Sequence, residues 1–405
     1  MTEPIISMPQ NRLAWLRRHR VVSLLLLNAV VLCALLISFE IVLRVRPPGW
    51  LRARMTSLSA ATEQATEVGS DIGWPFETNK VGAMVRFLPN SSFAAINAEY
   101  QHRILIDEFG GRKVVAKKSK PTTSTDRLLY CWGDSFTFGI GVKEEDSFVS
   151  LLQEDVSARV LNLGIPGSCL TEQLNRFSSI VDAKPGRPGD HVFFVYLGND
   201  LSDLIGMKQK RSTTSSPPDS GTMSMLSWAN SLTHRQPLRL SYAVQFTKAS
   251  ALKIFNSKSE ARIEDPKLTS LRLSEHAFQA ECAKELRVQL ERLKLLANGK
   301  FNPSFLLIPH KYQLDDEQRK RFAAYYGLDF SELDPLLPNR IVRRNLEEFG
   351  FKFIDPTEAM RGNAASLYYQ LDDHFTSEGH RRFYSAIHEP LIVALAASSE
   401  KAVRP

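Results

Sequence analysis

LLYCWGDSFTFGIGV, Leu128 to Val142, is a run of apolar, strand-forming residues that ends abruptly in Gly-Asp-Ser. A short continuous apolar run suits a strand buried on both faces. The serine at the corner after it is either an ordinary turn residue or a nucleophile on display. The rest of the chain has to decide which.

The pattern repeats outward from this stretch. The runs RLLYCWG, ARVLNLG, HVFFVYLG, PSFLLIP and FKFIDP begin near positions 127, 158, 191, 303 and 351. The first four end in Gly or Pro and are followed by longer segments of helical character. The clearest of these is ECAKELRVQLERLKLLANGK, with apolar residues at helical spacing and a glycine stop near its end. Buried strands alternating with helices predict a three-layer α/β domain on a parallel sheet. Ligands in such sheets bind beyond the carboxyl ends of the strands.

Ser135 falls at one of those ends. The second strand finishes in NLGIPG, which puts Gly164 at the rim with its N–H available to the crevice. The third finishes in LGND, with the side-chain amide of Asn199. After the fifth comes LDDHFTSEGH, with Asp372, Asp373 and His374. Acyl transfer through serine needs this set. A hydroxyl is a weak nucleophile and requires a base, normally a histidine held by a carboxylate. The tetrahedral intermediate needs fixed donors, here the Ser135 N–H, the Gly164 N–H and the Asn199 amide. Neither a metal-binding spacing nor a phosphate-cradling loop is present to supply other chemistry, so no metal and no cofactor is expected.

GDSFTFG, NLGIPG, GND and DDHFTSEGH stand in the order of the four blocks of the SGNH/GDSL hydrolase superfamily, and the chain resembles that family over 123–395. The lead-in DEFGGRK and the apolar N-terminal run look like its membrane-tethered bacterial members, with their N-x-x-G-x-R-like strand. The resemblance implies a flavodoxin-like sheet and a serine esterase or acyltransferase. It makes Ser135 the nucleophile, His374 the base, and Ser135, Gly164 and Asn199 the oxyanion donors. One position departs from the common pattern. The carboxylate usually stands three residues before the histidine, where this chain has Leu371. Asp372 is the candidate, since residues two apart on an extended chain face the same way; Asp373 is the alternative. The Asp-x-His form resembles polysaccharide O-acetyltransferases of the superfamily. Transfer of an acyl group to a cell-envelope polysaccharide is therefore the alternative to ester hydrolysis. A non-catalytic carbohydrate-binding or assembly protein is the alternative of another class, and the intact Ser135, Asn199 and His374 speak against it. Asp134 is expected to anchor its loop by local hydrogen bonds, and His310 to lie at the surface.

Of the 405 residues, 43% are hydrophobic and 23% charged, enough for a sizeable core. Much of the net charge of +7 sits in arginine clusters near the N-terminus, and no aromatic-interleaved basic face follows, so nucleic acid is a poor partner. Between the clusters, VVSLLLLNAVVLCALLISFEIVL (21–43) has a helical length of roughly 34 Å, against a hydrocarbon core of about 30 Å. No small-residue cleavage site follows it. A retained membrane anchor is expected, in contact with the lipid bilayer. The arginines on either side balance, so the positive-inside rule gives no orientation. The family resemblance implies a cytoplasmic tail over 1–20 and a domain on the extracytoplasmic, periplasmic side. The remaining expectations are a stalk over 44–84, a β-rich lead-in and linker over 85–122, and an insertion at 201–258 that is either a lid or a surface excursion. Of the four cysteines, Cys131, Cys169 and Cys282 are read as small buried apolar residues.

Overall fold

The computed structural model describes residues 20–46, 76–78, 84–96, 99–116, 127–181, 189–206, 269–299, 301–362, 364–370 and 372–403. Most of the stalk, the linker after position 116 and the 201–258 segment beyond Gly206 lie outside the described residues. The chain divides into two units, residues 1–59 with 221–262, and residues 60–220 with 263–405.

In the first unit a helix runs from Arg20 to Val45, 26 residues long. Val30, Leu32, Leu35, Leu36, Ile37, Ile41 and Val42 on it are exposed. Glu40 Oε1 pairs with Arg44 Nε one turn later at 2.7 Å. Among the described residues no helix is long and apolar enough to cross a membrane. The side chains described in this helix begin at Asn28, which leaves roughly 27 Å of helix up to Val45 at about 1.5 Å per residue.

The second unit carries the parallel sheet. Among the described residues four short strands come first: β1 (Phe76–Thr78), β2 (Met84–Phe87), β3 (Ser92–Ile96) and β4 (Gln101–Leu105). They pair as two antiparallel ribbons, β1 with β2 and β3 with β4. The main sheet follows, with β5 (Leu128–Trp132), β6 (Arg159–Asn162), β7 (Gly189–Tyr196), β8 (Ser304–Ile308) and β9 (Lys352–Ile354). Its order is β6-β5-β7-β8-β9, and every pairing is parallel.

Each face of this sheet is covered, which is why its strands read as unbroken apolar runs. On β5 the side chains alternate. Leu128, Tyr130 and Trp132 join one core with Leu174 and Phe177 of helix Leu170–Val181, Leu286 and Leu290 of helix His276–Ala297, and Leu346 of helix Leu337–Phe349. Leu129 and Cys131 join the other, with Phe148 and Leu152 of helix Phe148–Leu152 and Phe383, Ile387 and Leu391 of helix Ser377–Val403. The architecture is α/β in three layers. Cys131, Cys169 and Cys282 are buried and unpaired, while Cys33 is exposed.

The lead-in ribbons do not stand apart from the sheet. Phe87, Phe93 and Ile104 pack on Phe138 and Ile140, the residues just after Ser135. The Phe87 and Phe138 rings are 4.9 Å apart. Arg112 ties the segment down further, bridging to Ile106 on one side and to Asn162 of β6 on the other.

Candidate active site

Strand β5 ends at Trp132, and the chain turns at Gly133 into the short helix Ser135–Phe138. The turn requires glycine: a Cβ there would stand 2.0 Å from Thr137 Oγ1. Asp134 caps the helix, its side chain accepting from Phe136 N at 2.9 Å, and Gly139 closes it with φ 87°. Both are standard helix-end devices, and they settle the local role of Asp134. Burial pushes its carboxyl up to about 6, against the pull of the Phe136 N–H and of His374.

A guanidinium secures the far end of this helix. Arg112 is fully buried and donates to the carbonyls of Phe138 at 3.1 Å, of Gly139, and of Val142 at 2.5 Å. Burial lowers its pKa to about 10, with Glu144 opposing the shift from 3.7 Å.

Across the site, His374 Nε2 lies 2.7 Å from Ser135 Oγ. Its Nδ1 bonds to Asp372 Oδ1. The ring centre is 5.0 Å from that of Phe136, which shapes one wall. Asp373 instead pairs with Lys311, the first residue of the short helix after β8. Its backbone has φ 67°, so the segment is not the extended chain from which the choice between the aspartates was argued. The structure therefore brings Ser135, His374 and Asp372 into one chain of hydrogen bonds.

Gly164 needs a correction. Its N–H donates to Asn162 Oδ1 at 3.0 Å and is not offered to the crevice. The residue is buried, and a Cβ on it would stand 2.4 Å from Phe138 N and 2.9 Å from Asp134 O. It is a packing glycine that lets β6 approach the Ser135 helix. The second glycine of the same motif behaves differently. Gly167 is exposed, has φ 73°, and would have nothing within 4 Å of a Cβ. Its turn is held to the serine loop by Ile165 N and Ser168 Oγ, which donate to Gly133 O at 2.9 and 3.1 Å.

Asn199 immediately precedes the helix that follows β7, and its Nδ2 donates to Asp203 Oδ2 at 2.7 Å. One of its two amide protons is thus committed. Next to it, Asp200 is buried and accepts from Tyr196 N at 3.0 Å. Burial, reinforced by Asp134 and Asp203, holds its carboxyl well above the ordinary value.

His310 is likewise corrected. It is buried, not at the surface, and caps the turn after β8 with Gln313 Oε1 accepting from His310 N at 2.7 Å. Sequence reasoning also missed Glu99, Tyr100 and Arg112. For Arg112 the DEFGGRK motif was the available signal. For Tyr100 there was none, since its partner Asp372 lies 272 residues away.

No family model and no curated protein matches this chain. Solved structures do. One is LAE5, an α/β hydrolase enzyme from the metagenome of Lake Arreo, at 14% identity and TM-score 0.35, covering 66% of this chain and 95% of that one. Another is a member of the lipolytic protein G-D-S-L family from Veillonella parvula, at 14% identity and TM-score 0.35, covering 65% and 97%. A mutant of the acetylxylan esterase Axe2 from Geobacillus stearothermophilus matches at 14% identity and TM-score 0.32, covering 64% and 91%. Likeness at this level says nothing of substrate.

Proposed function

We propose that the chain is a serine esterase of SGNH type that cleaves acyl esters through Ser135, His374 and Asp372. The observation that carries the reading is the bonded series from Ser135 Oγ through the His374 ring to Asp372 Oδ1. In this reading His374 Nε2 takes the hydroxyl proton as Ser135 Oγ forms its bond to the acyl carbon. Asp372 fixes the tautomer with the proton on Nδ1 and stabilises the imidazolium. Collapse of the intermediate breaks the ester C–O bond, and His374 returns the proton to the leaving alcohol. Water, deprotonated by the same histidine, then attacks the acyl carbon, and the acid is released as the bond to Ser135 Oγ breaks and His374 returns the proton to Oγ.

The intermediate's oxyanion needs donors. The Ser135 N–H and the uncommitted amide proton of Asn199 suit that role. Gly167 replaces Gly164 as the third, because its N–H donates to no described group and its turn is fastened two residues before Ser135.

The test is Ser135→Ala in the purified protein. The expected outcome is loss of p-nitrophenol release from a short-chain ester and loss of labelling by a fluorophosphonate. Full turnover by the variant would refute the reading. Adding a sugar acceptor to the parent enzyme separates transfer from hydrolysis, since transfer yields an acylated sugar. The same chain is proposed to be anchored in a cytoplasmic membrane with this domain outside. The support is the apolar run 21–43 of the sequence, a helical length of roughly 34 Å at about 1.5 Å per residue. A reporter active only outside the cytoplasm, fused after Pro405, is expected to be active. Activity of a cytoplasm-only reporter there would overturn the orientation.

A further inference from the structure

The carboxylate of the proposed triad is held by residues that the SGNH blocks do not include. Tyr100 OH donates to Asp372 Oδ2 at 2.9 Å, which leaves Oδ1 for His374 Nδ1. The preceding residue takes the backbone of the same loop. Glu99 Oε1 accepts from Gln370 N at 2.7 Å, and Oε2 accepts from Asp372 N at 2.9 Å. The Tyr100 ring also lies 5.1 Å from that of Tyr369, whose hydroxyl donates to Gly141 O at 2.7 Å. The contact therefore extends to the loop that follows the Ser135 helix.

We propose that Tyr100 is a positioning residue for the triad, locking the Asp372 carboxylate in the rotation that presents Oδ1 to His374, while Glu99 fixes the loop backbone. The inference rests on the esterase reading above. Its physical basis is competition for the carboxylate. The Asp372 side chain keeps 20% of its exposure, so water competes for both oxygens and the group has a soft terminal torsion. A fixed phenol on Oδ2 removes the competing rotations. Tyr100 stays a neutral donor, since burial and then the charge of Asp372 hold its phenol far above the ordinary value. The lead-in ribbons thereby become part of the catalytic unit, reaching the carboxylate through Tyr100 and the serine loop through Arg112.

Tyr100→Phe deletes the hydroxyl and keeps the ring. The expected result with p-nitrophenyl acetate is a fall in kcat of about tenfold, as for the loss of one hydrogen bond to a charged group, with KM near the parent value. In an Asp372→Ala background the same change is expected to do nothing, because the group it acts through is gone. Where turnover of that pair is too slow, the cycle is read from the rate at which a fluorophosphonate labels Ser135. Losses that add would assign Tyr100 a purely structural role and overturn the inference, as would an unchanged kcat in Tyr100→Phe. Ser135→Ala separates the two claims: an active Ser135→Ala refutes the esterase, whereas an inactive one beside a neutral Tyr100→Phe refutes only the role of Tyr100.

Discussion

Asp373 pairs with Lys311, whereas its neighbour Asp372 bonds the ring of His374. The positive φ at Asp373 turns the two carboxylates toward different partners, a conformation that aspartate tolerates better than most residues. Asp372→Asn is therefore expected to cut kcat by a factor of at least about a hundred, against about 10⁴ for the equivalent change in a well-studied protease. Asp373→Asn is expected to cost far less, through its unpaired Lys311. Steady-state kinetics with matched circular dichroism checks both. The reverse ranking would mean that the wrong aspartate has been assigned.

The sheet was legible because its inner strands are buried on both faces, so Leu128–Trp132 and Ser304–Ile308 stand out as continuous buried runs. Ser135, Asn199 and His374 were placed at strand ends by the same reading. What was not legible depends on atoms that meet across long separations. Gly164 and Gly167 look alike in the sequence, and only what stands around each Cβ position distinguishes them. Tyr100 reads as one more residue of a half-buried ribbon until its hydroxyl meets Asp372. At Asp373 the alternation of an extended chain was the wrong local geometry, although it selected the residue that bonds His374.

Arg112 serves three carbonyls of the Ser135 loop while fully buried. Arg112→Ala is expected to cost about 3–5 kcal/mol, the usual loss when one partner of a buried charged network is removed. Arg112→Lys keeps the charge but not the planar fork, and is expected to recover only part of that loss. Urea unfolding measures both. A loss under about 1 kcal/mol for alanine, the size of an ordinary surface change, would show that the loop holds itself.

The two glycines of the NLGIPG motif give opposite expectations. Gly164→Ala drives a Cβ against the backbone at Phe138 N and Asp134 O, so the Ser135 helix must shift. Overpacking of this kind costs about 1–3 kcal/mol, and activity is expected to fall with it. Gly167→Ala meets open space and carries only the strain of its positive φ, about 1–2 kcal/mol. Comparing thermal unfolding with kcat in both variants checks the assignment. An active Gly164→Ala enzyme of parent stability would contradict the packing role.

His191 sets the last expectation, on acid stability. It is buried, accepts from Trp132 Nε1 at 3.2 Å, and stacks on Tyr130 with ring centres 4.6 Å apart. Burial pushes its pKa from 6.5 down to about 3. Between those values the unfolded chain binds a proton that the folded chain refuses, so stability present above pH 6.5 is lost as the pH falls toward 3. Asp107 and Asp134, each pushed up to about 6 chiefly by burial, act in the opposite sense, because the folded chain keeps their protons longer. The pH curve of the parent protein is thus a sum of opposing terms, and only a difference isolates His191. His191→Gln keeps an acceptor for Trp132 and removes the titration. The variant is expected to be less stable than the parent at pH 7, where a glutamine fits the aromatic cage less well. That gap is expected to narrow on acidification by up to about 1.4 kcal/mol per pH unit. Urea unfolding at intervals from pH 7 to 5 reads it directly. Two parallel curves would mean that the imidazole takes up its proton in the folded state as readily as in the unfolded one.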